Sequence, residues 1–308
     1  ELLKRALASV ARQTYAPLEI LVINDGNDDI QALCQQVAPA VQKLSVVKPA
    51  PGAGRVNAAN TGLQHASGVY LIFLDDDDWF YPDHVLKLVT ALNNAPQFGL
   101  AYTGIECKRE HPQSRELLKE HEFNQPFDPA FFLIRNFIPI HAAMFRRSLL
   151  DSETVFDTQL DHYEDWDFWL QLYRKTPFLY VPGISACYFL GGSSGFGIDQ
   201  GDTRQKRAEE IFFSKWQQRW STSEVQLIIN VAREVPALRQ DVQDTHIKLR
   251  QIYIEHEARI QLFQLQLEEL NNNFQQLTVE HQQLTAEHQQ IISQLDATSD
   301  MLEETLQS

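Results

Sequence analysis

The 308-residue chain is about two domain lengths long, with 44% apolar and 22% charged residues, enough to bury a sizeable core. Apolar stretches such as Val69–Leu74 fall far short of the roughly 20 residues a spanning helix needs, and no charged-then-apolar leader opens the chain, so neither a transmembrane segment nor secretion is expected. A net charge of −15 argues against nucleic-acid partners, and Cys34, Cys107 and Cys187, without CxxC spacing, form neither a disulfide framework nor a cysteine-ligated metal site.

In chain order, Leu2–Ala11 reads as a helix, Glu19–Asn24 as a strand, Ile30–Ala38 as a helix and Leu44–Lys48 as a short strand. After the glycine-bearing loop Pro49–Gly54 come a helix over Asn57–Ala66 and a strand over Val69–Leu74. Asp83–Asn94 is the next helix and Leu100–Ile105 a strand. Asp165–Arg174 reads as an amphipathic helix, Phe178–Val181 as a strand and Arg204–Trp220 as a closing helix. This alternation predicts an α/β fold, a mostly parallel sheet flanked by helices. Such sheets begin on a strand and bind ligands at the carboxyl ends of their strands. This chain enters on a helix, so its first strand is expected to be absent.

The last glycine is Gly201 and the last proline Pro236, which leaves Gln240–Ser308 free of helix breakers. That segment carries twelve acidic residues against Lys248, Arg250 and Arg259, so it holds nine of the fifteen net negative charges. Apolar residues recur there at steps of three and four: Ile260, Phe263, Leu267, Leu270, Phe274, Leu277, then Leu284, Ile291, Leu295 and Leu302. Such a seam predicts a long α-helical coiled coil and a homo-oligomer formed through it. His281 and His288 fall on the seam, where polar residues fix register; a pH report is the second reading. The expected organisation is a globular domain over 1–222, a linker over 223–239 and a coiled coil over 240–308. A cytoplasmic location is expected, with peripheral membrane association as the alternative.

Three acidic motifs carry chemistry. Asp75, Asp76, Asp77 and Asp78 follow an apolar strand, and four adjacent carboxylates repel one another unless a cation offsets them. Their oxygen ligands suit a hard cation, Mg2+ or Mn2+, whose shell a phosphate-bearing substrate completes. Glu164 and Asp165 stand at the amino end of a helix that turns Trp166, Trp169 and Leu170 to its apolar side. A carboxylate exposed there is placed to take a proton from a hydroxyl. The third motif, Asn24–Asp29, ends a strand in carboxylates and a glycine turn. Taken singly, each motif also reads as a solvated turn or a helix cap.

Taken in order, the segments Leu7–Tyr15, Glu19–Gly26, Ala59–Gly62, Leu74–Asp78, Phe145–Arg147 and Glu164–Trp166 resemble the family 2 glycosyltransferases of the GT-A fold, over roughly residues 1–195. The resemblance implies a metal-dependent, inverting enzyme. It would move a sugar from a nucleotide-diphosphate donor, a UDP-sugar in the first instance, to a hydroxyl of a carbohydrate or glycolipid acceptor in polysaccharide or glycan synthesis. It implies donor-binding roles for Asp25 at the nucleobase, for Asp75 and for Asn60. Asp77 would hold the divalent cation, and Asp165 would be the catalytic base. The family commonly has arginine where Ala59 stands, and Arg55, one turn earlier, is placed to reach the same phosphate. The segment Tyr188–Ser193, where many members carry arginine and histidine, has neither, so no histidine metal ligand is assigned. Glu164, Trp166 and His141 are candidates for the acceptor side, with a hydrogen-bonded core histidine as the plainer reading of His141.

Two other functions fit parts of the pattern. Phosphoryl transfer at Asp75–Asp78 would use the same carboxylate-bound cation, but the chain has no GxxxxGK[ST] loop. A non-catalytic assembly protein, working through its coiled coil with a degenerate sugar-nucleotide domain, would have no need of Asp25, Asp75, Asp77 and Asp165 together.

Overall fold

The structure, a computed structural model, describes residues 1–38, 41, 43–50, 54–191 and 203–307, with side chains to residue 295. Residues 51–53 of the glycine-bearing loop, Gly192 and Ser193, and the side chain of Leu302 lie outside the described residues. The elements are α1 (Leu2–Ala11), β1 (Glu19–Ile23), α2 (Gln31–Val37), β2 (Lys43–Val47), α3 (Gly54–His65), β3 (Tyr70–Ile72), β4 (Trp79–Phe80) and α4 (His84–Asn94). They continue with β5 (Leu100–Glu110), β6 (Leu117–Phe123), α5 (Pro129–Phe132), β7 (Ala143–Arg146), α6 (Glu164–Tyr173), β8 (Phe178–Phe189), α7 (Thr203–Trp216) and α8 (Thr222–Gln307). The chain divides into two compact units, Glu1–Ala232 and Arg233–Ser308.

The first unit is α/β, as expected, but its strand pairing is mixed where a mostly parallel sheet was predicted. β1 and β2 form a parallel pair; the larger sheet runs β3-β7-β5-β8-β4, with β6 paired to the far end of β5. Within that larger sheet only β5–β8 is parallel among the described residues. The antiparallel members β4 and β7 are two and four residues long, too short for an alternating pattern to announce them. The long strand β5 ties the sheet together, its first half against β7 and its second against β6, while β8 follows it throughout. Along β8 the register jumps: Val181 pairs with Thr103 and Ile184 with Gly104, so Pro182 and Gly183 bulge out. Gly183 takes φ +101° there, a conformation open to a residue without Cβ, and the bulge spares Pro182 a ladder bond it cannot donate.

Apolar residues close three packing clusters. The largest joins α5, β7, α6 and α7 through fully buried Phe132, Phe145, Phe168, Trp169, Phe212 and Trp216. α4 lays Val85, Leu88, Val89 and Leu92 against Ala101 and Met144, and Leu7, Ile20, Cys34 and Ala38 join α1, α2 and β1. The three cysteines are free and buried.

One buried charge fastens α6 to α7. Asp167 is fully buried on α6 and accepts from Gln171 Nε2, Lys215 Nζ and Trp216 Nε1 at 2.8 to 2.9 Å, and Lys215 also reaches Asp157 at 2.8 Å. Asp167→Ala is expected to cost about 3 kcal/mol, because it strands the Trp216 and Gln171 donors and half of the Lys215 pairing. Chemical denaturation measures this, and a loss below about 1 kcal/mol would show that α7 is held by its aromatic face alone.

Helix α8 includes residues 223–239, expected as a linker. Pro236 lies inside it, so the helix carries that residue despite its missing donor. The second unit exposes its seam: Phe263, Leu267, Leu270, Phe274, Leu277, Leu284 and Leu295 are each more than 60% exposed. No helix among the described residues is long and apolar enough to cross a membrane.

Candidate active site

Helix α1 sets the aspartate loop. Arg5 Nη2 donates to the carbonyl of Asp77 at 2.7 Å, and its guanidinium lies between the rings of Trp79 (4.0 Å) and Phe189 (4.5 Å). Ser9 Oγ accepts from Phe80 N–H at 3.1 Å, while Gln13 donates to Tyr81 O at 2.7 Å and accepts from Val85 N–H at 3.0 Å. The amino-terminal helix and Gln13 just beyond it therefore splint residues 77–85 through their backbone groups.

The four aspartates occupy different environments. Asp76 is exposed and Asp78 is buried, its Oδ1 accepting from Phe189 N–H at 2.7 Å and its Oδ2 lying 3.0 Å from His141 Nδ1. Asp75 and Asp77 are half-buried. Burial, and then the neighbouring carboxylates, push Asp77 up to about 6. Asp75 is raised by burial and by Asp78, against the opposing pull of His141 and Arg55.

At the start of α6, Tyr163 adopts the left-handed conformation, φ 66°, which turns the chain so that Glu164 and Asp165 open the helix. Asp165 Oδ1 accepts from Trp166 N–H at 2.7 Å and Oδ2 from Asn136 Nδ2 at 2.9 Å. The two acids are less exposed than the helix pattern predicted: the Glu164 side chain is only 13% exposed, covered by Arg55, whose Nη2 sits 2.5 Å from Glu164 Oε1. Burial raises both carboxyls. Asp165 adds to the shift of Glu164, the Trp166 amide and Arg55 oppose that of Asp165, and Arg55 opposes that of Glu164. Arg55 also feels Asp75, so one guanidinium on α3 joins the aspartate loop to the start of α6.

Of the residues predicted from sequence, Arg55, Asp75, Glu164 and Asp165 thus come together. Asp77 lies on the same loop as Asp75, and Asp25 lies exposed in the turn after β1, where Asn24 organises the chain by donating to Asp28 O and accepting from Gly26 N–H. Two expectations are corrected, and His141 follows the plainer reading, a core histidine. Asn60 is not turned toward a donor: Nδ2 donates to Phe156 O at 2.9 Å and Oδ1 accepts from Phe156 N–H at 2.8 Å, because that backbone packs on the core without a strand partner. Trp166 does not line an acceptor surface: it is 3% exposed, stacks on Phe212 at 4.3 Å and donates Nε1–H to Phe132 O. His141 is fully buried behind the aspartate loop, stacked on Tyr188, with Nε2 lacking a hydrogen-bond partner among the described residues. Burial would lower its pKa, yet the Asp78 carboxylate raises it on balance.

The sequence reading missed Arg5, Asn136 and Asp78 as distinct members of the site. Arg5 carries a findable signal, a cation one turn before Ser9 on the same face of α1; Asn136 carries none, since its partner lies 29 residues away. Among the described residues, no three His, Cys, Asp or Glu side chains form a ready metal cluster.

Residues 1–153 match the family described as glycosyl transferase family 2. The chain is 29% identical over 216 residues to the uncharacterized glycosyltransferase YwdF of Bacillus subtilis (strain 168), covering 67% of this chain and 76% of that protein. Its fold is similar to S. aureus TarS 1-349 in complex with UDP-GlcNAc, with TM-score 0.51 and 14% identity over 74% of this chain and 75% of that one. It is also similar to the mannosyltransferase PcManGT from Pyrobaculum calidifontis in complex with GDP-Man and Mn2+, with TM-score 0.53 and 17% identity over 76% of this chain and 65% of that one. The order of motifs and these matches agree: residues 1–153 of the chain match a glycosyl transferase family 2 domain.

Proposed function

We propose that the protein transfers a sugar, with inversion, from a nucleotide-diphosphate donor to an acceptor hydroxyl. The observation that carries this reading is Arg55, which pairs with Glu164 at 2.5 Å and lies within electrostatic reach of both Asp75 on the aspartate loop and Asp165 at the start of α6. Asp25 contacts the nucleobase, Asp75 the ribose, and Arg55 the diphosphate. Asp165 takes the proton of the acceptor hydroxyl, whose oxygen attacks the anomeric carbon from the face opposite the diphosphate. The bond from that carbon to the diphosphate oxygen breaks, its electron pair leaves with the nucleoside diphosphate, and the anomeric configuration inverts.

Burial and then Asp78 raise the carboxyls of both Asp75 and Asp77, Asp75 adds to the shift of Asp77, and an all-oxygen donor set under such repulsion fits a divalent cation, Mg2+ or Mn2+. Asp77 would hold it, beside Asp75 on the ribose, and it would offset the charge that develops on the departing diphosphate. A UDP-sugar is the first donor to try, followed by GDP-mannose. The acceptor class is a carbohydrate or glycolipid hydroxyl, and the setting is polysaccharide or glycan synthesis. A screen of nucleotide sugars for Mn2+-stimulated release of nucleoside diphosphate tests the reading; no release from any donor, with or without acceptor sugars, would reject it.

We assign residues 1–222 to catalysis and the helix beyond to self-association. The exposed seam covers itself most simply against a second copy. Leu277→Asp with Leu284→Asp places charges on that seam and is expected to convert an oligomer to a monomer by light scattering, with the thermal unfolding of the catalytic domain unchanged. A parent chain that is already monomeric would remove the proposal.

A further inference from the structure

Asp165 is gripped at both carboxylate oxygens by protein groups. The Trp166 amide takes Oδ1, and Asn136 Nδ2 takes Oδ2 at 2.9 Å. Asn136 belongs to the segment between α5 and β7, outside every motif quoted above. Its amide orientation is fixed by its own backbone: Oδ1 accepts from Ile138 N–H at 2.9 Å, so the NH2 group faces the carboxylate. This stretch, taken from the end of α5, is fastened to α6 at two further points, Trp166 Nε1 to Phe132 O and Trp169 Nε1 to Ile138 O, each at 2.9 Å. Two of the three ties are buried indoles that only hold the backbone. The third ends on the carboxylate proposed to move a proton.

The charged groups facing Asp165 pull in opposite directions. Asp75 on the aspartate loop disfavours its ionised form, whereas Arg55 on α3 favours it; Glu164, next to it on the same helix, takes the repulsion between the two acids, its own carboxyl being raised by Asp165. Arg55 is shared with Glu164 and, in the reading above, with the donor diphosphate. Asn136 is a neutral donor that neither neighbour draws away.

We infer that Asn136 is the positioning residue for Asp165: its amide sets the carboxylate's rotamer and stabilises its ionised form, leaving the unused lone pair of Oδ2 to receive the acceptor proton. The inference rests on the reading of Asp165 as the base. Asn136 does not itself touch substrate. Removing it acts on the base and leaves the donor pocket alone.

The decisive variant is Asn136→Asp. It is isosteric, keeps an oxygen for Ile138 N–H, and replaces the amide donor with a second carboxylate. A merely structural role, holding the segment through Ile138, survives this change. Two readouts are taken: the Asp165 carboxyl titration by 13C NMR without donor or metal, assigned by its absence in Asp165→Asn, and the pH profile of diphosphate release from UDP-GlcNAc and GDP-mannose with Mn2+ and water as acceptor. A carboxylate that loses a hydrogen bond to its charged form binds its proton more tightly, so the Asp165 titration moves up by about one pH unit or more. Because the base works when deprotonated, the acid limb of release moves the same way, with turnover below it falling about tenfold and donor affinity unchanged. Asn136→Ala shifts both readouts in the same direction by less, since it adds no charge. Parent-like titration of Asp165 in Asn136→Asp, with Asp165→Asn inactive, would overturn the role of Asn136 alone. Parent-like turnover in Asp165→Asn would overturn the base reading and the inference with it.

Discussion

Asp165→Asn is expected to lower sugar transfer about a hundredfold or more while donor affinity stays within about twofold of the parent, the scale set by losing a positioned general base. Asparagine preserves the shape of the side chain and can still accept from the Trp166 amide, which bonds Oδ1 at 2.7 Å. What it loses is the lone-pair basicity needed to take a proton. The parent profile carries a second signature. Burial raises the Asp165 carboxyl above the ordinary range, so activity falls as pH drops through that raised value, and the residual activity of the variant lacks that limb. Initial rates under conditions where chemistry limits turnover, with donor binding measured separately, test this. Equal rates in parent and variant would remove Asp165 from the mechanism.

Asp77→Asn is expected to abolish the cation-dependent part of donor binding. The variant removes the formal charge of the carboxylate proposed to hold the cation, and an amide oxygen is a weaker ligand for a hard ion than a carboxylate. It also relieves repulsion in the loop, since burial and the neighbouring carboxylates push the Asp77 carboxyl up to about 6. The variant should therefore fold at least as well as the parent while binding donor equally with and without Mn2+. Titrating UDP-GlcNAc in the presence of Mn2+ and of a chelator separates the two effects. Metal-dependent affinity that persists in the variant would move the cation to other ligands.

Local periodicity made the elements around the motifs legible. Leu2–Ala11 is helical over the residues expected, and the strand at Glu19 and the helix ending at Asn94 match to within a residue at each end. These are segments of five residues or more whose apolar spacing follows one period, and their local preferences agree with their burial. The seam of the carboxy-terminal helix is legible for the same reason. The sequence also marks the carboxylates by their position after apolar strands and at a helix start.

Partner choice was decided in three dimensions. The two-residue strand β4 and the four-residue strand β7 exist because long neighbours offer them ladder partners, and they make the sheet mixed. Of four identical adjacent aspartates, sequence cannot say which one turns inward; the Phe189 amide and His141, more than sixty residues away, select Asp78. Asn60 and Trp166 sit in motifs that point to a ligand, yet buried backbone groups of Phe156 and Phe132 claim their polar atoms. Asn136 shows the converse, a residue in no motif that reaches the proposed base because three hydrogen bonds register its segment against α6. A chain's own periodicity fixes which face of an element is apolar. Which distant polar group meets a given side chain depends on how the elements stack, since each buried donor and acceptor takes the nearest partner that packing brings to it.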